Sequence, residues 1–161
     1  MRAGEMFKDY RKMKLECTVL KFQMEKFEGV PYQDVIESIN YARPQGDKVQ
    51  TGTVSDKTGK TAIIYRKVKE RLDDGWFESL FERYQFLQEE LSFFEYGITQ
   101  LSGSLPEFVR DLVIEQMAWE ELMLKYNVCH SMIGKYRKKA EKELDILYEL
   151  RDKQAETYML S

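Results

Sequence analysis

A cluster of basic side chains in the C-terminal part of the chain has the composition of a polyanion-binding surface. Residues 130–143 carry a net charge of +3, whereas residues 105–129 carry −3 and the whole chain carries −3. The basic residues are Lys135, Arg137, Lys138, Lys139 and Lys142. Positive charge concentrated on one short segment is suited to phosphate groups, so the sequence predicts a local phosphate-binding surface.

The segment that precedes and includes this cluster, WEELMLKYNVCHSMIGKYRKKA, has the spacing of a helix-turn-helix. Five apolar residues fall on the positions that such a motif buries: Leu122, Tyr126, Val128, Ile133 and Tyr136. If the second helix enters a DNA major groove, the residues predicted nearest the base edges are His130, Ser131, Met132 and Lys135. The residues predicted near phosphates are Arg137, Lys138, Lys139 and Lys142.

Three positions depart from an ideal motif. Met123 stands where a small residue is usual, and Cys129 stands at the N-cap, where it caps poorly. Asn127 replaces the common turn glycine, but asparagine tolerates the left-handed backbone. Ordinary packing of two helices at a corner would produce the same apolar spacing, and it stays open as an alternative.

The elements around the motif are predicted to be helices. Pro106 suits the first position of a helix of roughly twelve residues, and the helix after the turn is predicted to run from His130 to about Leu150. These elements form a predicted three-helix domain over residues 105–150. The apolar stripe of its first helix comprises Val109, Leu112, Val113 and Met117.

Two longer heptad-like seams lie upstream, in a predicted domain of residues 1–101. The first seam comprises Met6, Tyr10, Met13, Cys17, Leu20, Met24 and Phe27, and the second runs from Phe77 to Leu101. A polar stretch, residues 42–58, is predicted to be a connector, and Asp73-Asp74-Gly75 is either a helix break or a change of phase.

The predicted fold is all-α: a long N-terminal helical hairpin or coiled coil, followed by the helix-turn-helix domain. The two seams could pair with each other in an antiparallel hairpin or pair with a second chain in a homo-oligomer, and the sequence leaves both open.

The chain shows no pattern of residues that predicts catalysis, a cofactor or a metal site. His130 is the only histidine, and the two cysteines lie far apart, which favours a reduced, cytoplasmic setting. The TGKT at 58–61 lacks the P-loop glycine, because Val54 occupies its place. No apolar run approaches the roughly 20 residues that a membrane span needs.

The segment LPEFVRDLVIEQM…WEELMLKYNVCHSMIGKYRKKAEKELDIL resembles the fourth conserved region of bacterial sigma factors. More closely, it is similar to the ArpU-like late transcriptional regulators of phages and prophages. Trp119-Glu120-Glu121-Leu122 resembles their W-x-E-I opening, and Tyr136 to Ala140 resembles their basic exit. The resemblance is good over residues 105–150 and architectural upstream.

This resemblance implies a DNA-binding transcriptional regulator in the cytoplasm of a bacterial host, with double-stranded DNA and RNA polymerase as partners. A different hypothesis is a non-enzymatic adaptor or assembly protein, including a phage packaging subunit, which acts through its heptad helices.

Overall fold

The computed structural model describes residues 2–42 and 54–161, with backbone only for residues 32, 39–42 and 54–61. Every regular element in these ranges is a helix, which confirms the all-α class. The helices are α1 (Ala3–Glu25), α2 (Tyr32–Ala42), α3 (Val54–Thr99), α4 (Leu105–Val109), a π-helix (Arg110–Ile114), α5 (Trp119–Tyr126) and α6 (His130–Leu160). None of these helices is both long and apolar enough to cross a lipid bilayer.

The helices are grouped in two compact units. The first comprises Met1–Val19 with Gln85–Ser161, and the second comprises Leu20–Tyr84. These boundaries differ from the predicted ones at residues 101 and 105, because the first unit groups the helix-turn-helix segment with parts of α1 and α3. The division into residues 1–101 and 105–150 stays a prediction.

In the first unit, the seam of α1 is buried against α3 and α6. Met6, Tyr10, Met13 and Cys17 are all buried. The hydroxyl of Tyr10 donates to Glu95 Oε1 of α3 at 2.6 Å, and the backbone N–H of Ala3 donates to Asp145 Oδ1 of α6 at 3.0 Å. The apolar period read from the sequence therefore identifies the buried face of this helix.

Close approach between α3 and α6 depends on a glycine. A Cβ atom on Gly97 would lie 2.9 Å from Cδ2 of Leu144, which is itself fully buried. The ring centroids of Phe93 and Tyr148 lie 5.0 Å apart across the same helix pair. The small residue thus lets two helices meet within one tightly packed layer.

In the second unit, the segment just after α1 packs on aromatic residues of α3. The Phe27 ring lies 5.6 Å from Trp76 and 5.4 Å from Phe77, edge to face in both cases. Gly29 ends this part of the chain with φ of 94°, a backbone conformation that glycine adopts without strain. The antiparallel hairpin and the homo-oligomeric coiled coil both stay predictions.

The helix α3 corrects two expectations. It begins at Val54, so the last five residues of the predicted connector, 54–58, and the TGKT segment are helical. It also continues through Asp73-Asp74-Gly75, so the predicted alternative of a break there is wrong. The Asp73 carboxylate accepts the Val30 N–H at 2.7 Å and a Lys69 hydrogen bond at 2.9 Å, which anchors this part of the helix. Residues 43–53 of the predicted connector lie outside the described residues.

Candidate nucleic-acid interface

The predicted helix-turn-helix is formed by α5, a three-residue turn and α6. Asn127 ends α5 with φ of 52° and ψ of 51°, in the left-handed region that was predicted for this asparagine. The Val128 N–H donates to the Met123 carbonyl at 3.1 Å, so the turn closes on the last turn of α5. Cys129 occupies the N-cap of α6 and makes no side-chain capping bond, as the sequence indicated.

On the buried side of the motif, α5 and α6 both pack against α4. Leu122 and Ile133 are fully buried. Phe108 of α4 is also buried, and its ring lies 5.7 Å from Tyr126 and 5.6 Å from Tyr136, edge to face with both. One aromatic side chain therefore contacts both motif helices, and edge-to-face pairs add to the stabilisation that burial provides.

The helix predicted over residues 106–117 is not one regular α-helix. It starts one residue earlier, at Leu105, and after Val109 it becomes a π-helix that ends at Ile114. Gln116 then adopts φ of 54°. The wider π turn shifts the phase of the buried face, so Asp111 is buried while Leu112 and Met117 of the predicted stripe are only partly buried. A strict 3.6-residue period cannot represent such a shift.

Asp111 ties the π-helix to α5. Its Oδ2 accepts hydrogen bonds from Lys125 Nζ and from the Tyr126 hydroxyl, both at 2.6 Å. Burial alone would raise the pKa of Asp111, but these two hydrogen bonds outweigh it and leave the pKa below the ordinary value. Burial and the hydrogen bond to the Asp111 carboxylate raise the pKa of Tyr126. The ionised carboxylate thus helps to fix α5 relative to the segment that precedes it.

We predict that Asp111→Asn lowers the free energy of unfolding by about 1–2 kcal/mol at neutral pH, because charge-assisted hydrogen bonds to a buried carboxylate are lost. A depressed folded-state pKa stabilises the protein above the unfolded-state pKa. That stabilisation is lost as the pH falls through the folded-state value. The difference in unfolding free energy between the wild-type chain and Asp111→Asn should therefore shrink below about pH 4. Urea unfolding across a pH series measures it, and a gap that stays constant to low pH would contradict the assignment.

The predicted DNA-facing lysines share one side of α6. Lys135, Lys138, Lys139 and Lys142 occupy positions i, i+3, i+4 and i+7, which lie on one face of a helix. All four are exposed, and none forms a salt bridge with another described residue. These four residues form the lysine face. Their charge is available to a ligand because the four side chains are exposed.

Arg137 differs from the lysine face. Its Nε donates to Glu141 Oε1 at 3.2 Å, and its guanidinium carbon lies 5.9 Å from the centre of the Phe7 ring. The side chain is therefore engaged with its own helix and with α1, and this geometry does not favour its predicted phosphate contact, which stays a prediction.

The first turn of α6 carries the side chains predicted to approach base edges. His130 and Ser131 are exposed and Met132 is partly buried. The His130 ring lies 4.6 Å from the Trp119 ring with a tilt of 44°, so the first residues of α5 and α6 are in contact. The Ser131 hydroxyl lies 3.1 Å from Cys129 Sγ, and this contact, with the Met132 N–H, lowers the pKa of the thiol.

Sequence reasoning missed two residues that position this surface, Phe108 and Asp111. Phe108 sits next to the predicted stripe and was identifiable as a large apolar residue after Pro106. Nothing in the sequence indicated that Asp111 is buried, because a carboxylate inside an apolar pattern is normally expected on the solvent side of the helix. Among the described residues, no cluster of His, Cys, Asp and Glu could hold a metal ion.

Comparison of the chain with protein-family models, curated proteins and solved structures gives no match. The class of protein therefore rests on the residues and their geometry.

Proposed function

We propose that this chain is a phage-derived, sequence-specific DNA-binding regulator of transcription, in which residues 105–150 bind duplex DNA. The observation that carries the proposal is the lysine face: four exposed cations that form no salt bridge with a described residue, on the helix that follows a left-handed turn. This arrangement suits a helix that enters the major groove while its lysines meet the phosphates.

The side chains of the first turn take the role of reading bases. His130, Ser131 and Met132 are nearest the start of α6, and Lys135 lies one turn further along. The ring contact of His130 with Trp119 supports this role, because it holds the imidazole close to the start of α5 before DNA binds. The proposed phosphate contacts are Lys138, Lys139 and Lys142. Arg137 stays a predicted phosphate contact, although its hydrogen bond to Glu141 does not favour that role.

A single small module of this kind binds DNA weakly, and two linked modules on two half-sites bind more tightly. Homo-oligomerisation through the heptad helices would supply the second module. The resemblance to phage regulators adds RNA polymerase as a proposed partner and the bacterial cytoplasm as the proposed location.

We predict a steep salt dependence for binding to random duplex DNA. If Lys138, Lys139 and Lys142 each meet one phosphate, the logarithm of the affinity should fall linearly with the logarithm of the salt concentration, with a slope of roughly −2.7. Fluorescence anisotropy of a labelled duplex over a salt series measures this slope. A slope near zero, or no binding at low salt, would rule out a phosphate-binding role for this surface.

The second candidate function is that of an adaptor or assembly protein, for example a phage packaging subunit. Exposed aromatic side chains of the second unit favour it. Phe22 is 61% exposed and Trp76 39% exposed, and both line a groove of about 220 Å³ together with Phe27 and Leu80. Exposed apolar grooves of this kind mark protein interaction sites. Under this hypothesis, reversing the charge of the lysine face would leave partner binding unchanged.

A further inference from the structure

The side of α1 opposite its buried seam carries cations and apolar side chains together. Lys8, Arg11, Lys12, Leu15 and Val19 occupy positions i, i+3, i+4, i+7 and i+11, which lie on one face of a helix. All five are exposed, Leu15 by 59% and Val19 by 55%, and all belong to the first unit. These five residues form the basic-apolar face.

The charge of this face has a single sign. Its three cations form no salt bridge with a described residue. Arg11 donates from Nη1 to Gln116 Oε1 at 2.9 Å, and this neutral partner leaves the charge of the guanidinium uncompensated. The carboxylates of the same stretch, Asp9 and Glu16, lie on other sides of the helix.

A cleft borders the basic-apolar face at Arg11. It has a volume of about 330 Å³ and lies between α1 and residues 114–116, which follow the π-helix. Glu115 also lines the cleft, so the side of the face that carries Lys8 and Lys12 is the more positive one. A concave border next to exposed apolar side chains lets a partner bury more surface than a bare helix would allow.

We propose that the basic-apolar face is a docking surface for an acidic amphipathic helix of another protein. The carboxylates of the partner would meet Lys8, Arg11 and Lys12, and its apolar side chains would pack on Leu15 and Val19. The charge selects an acidic occupant, because the face offers three cations and no carboxylate of its own helix. The exposed leucine and valine select one that also presents apolar groups on a helix face.

Other occupants satisfy only part of this face. A helix that lies in a membrane surface keeps its cations on the side away from the lipid. In α1 the cations share one face with Leu15 and Val19, so they would have to enter the lipid together. Duplex DNA would satisfy the cations and leave both apolar side chains without an apolar contact. The proposal shares no residue with the lysine face, so it does not depend on DNA binding.

Fluorescence anisotropy of the full chain with a labelled synthetic peptide tests the proposal. The peptide is helical and carries three glutamates and two leucines on one face, and its matched form has glutamine in place of glutamate. We expect the wild-type chain to bind the glutamate form about tenfold more tightly. Lys8→Glu with Lys12→Glu should lose about tenfold or more in affinity for it, and should prefer a form with lysine in place of glutamate. Leu15→Ala should lose roughly threefold, because apolar contact is removed.

The matched control is Lys135→Glu with Lys138→Glu, which changes the net charge equally and should keep its affinity for the peptide. Circular dichroism checks that each variant stays helical. Equal binding of the glutamate and glutamine forms, an equal loss in the α6 control, or no effect of Leu15→Ala would overturn the proposal.

Two further measurements separate the other occupants. Binding to phosphatidylserine vesicles that the α1 double variant abolishes would assign the face to a membrane. Self-association in sedimentation velocity that the same variant abolishes would assign it to a second copy, and either result would overturn the proposal. Duplex binding is measured separately, so a failure here leaves the regulator proposal to its own test.

Discussion

The double variant Lys135→Glu with Lys138→Glu is expected to lose duplex binding by roughly a hundredfold or more at moderate salt. Each change removes one cation from the lysine face and adds an anion that phosphates repel, so the charge of this surface shifts by four units. The two residues are exposed and form no salt bridge with a described residue, so their replacement leaves no buried partner unpaired. Anisotropy titration against a labelled duplex measures the loss, and circular dichroism confirms that helicity is retained.

The matched control is Lys8→Glu with Lys12→Glu on α1. These lysines are also exposed, and the pair changes the net charge of the chain by the same amount. The proposal requires the control to bind nearly as well as the wild-type chain. Equal losses in the two variants would show that only overall charge matters, and unchanged binding in both would reject the DNA-binding role of α6 and favour the adaptor hypothesis.

The largest loss of stability is expected for Phe108→Ala, at about 3–5 kcal/mol of unfolding free energy. Phe108 is 1% exposed, and it contacts Tyr126 at the end of α5 and Tyr136 in α6. Its removal leaves a cavity at the point where α4 joins the two motif helices. Urea denaturation followed by far-ultraviolet circular dichroism measures the change.

The control for this prediction is Phe22→Ala, which removes the same side chain from a site that is 61% exposed. We expect it to cost less than about 1 kcal/mol, because little apolar surface is re-exposed to water. If the two variants were equally stable, Phe108 would not be the contact that holds the motif helices together.

The buried faces of the long helices follow from apolar spacing alone. Every seam position from Met6 to Leu20 and from Leu87 to Leu101 is buried. The remaining predicted seam positions are partly buried or exposed: Met24, Phe27, Phe77, Leu80 and Tyr84. The left-handed turn at Asn127 was predictable as well, because few residues other than glycine adopt that conformation readily. These features depend on residues that are close together along the chain, so they can be predicted from a single sequence.

Other features depend on partners distant in sequence. Asp73-Asp74-Gly75 is unfavourable for a helix by roughly 1 kcal/mol at the glycine alone, yet α3 continues, and the Val30 N–H that Asp73 accepts comes from 43 residues away. The burial of Asp111 likewise depends on Lys125 and Tyr126.

The helix α6 continues ten residues past the predicted end, to Leu160, although residues 152–161 are all exposed.

The π-helix at Arg110–Ile114 makes the number of residues in this segment matter more than their identity. A chain shortened by one residue there could close an ordinary α-turn in place of the π-turn, and the side chains of this segment would take new positions around its axis. The deletion would carry Asp111 away from Lys125 and Tyr126. Point substitutions between Arg110 and Gln116 should therefore be tolerated more often than insertions or deletions, and a length-scanning library would expose that asymmetry.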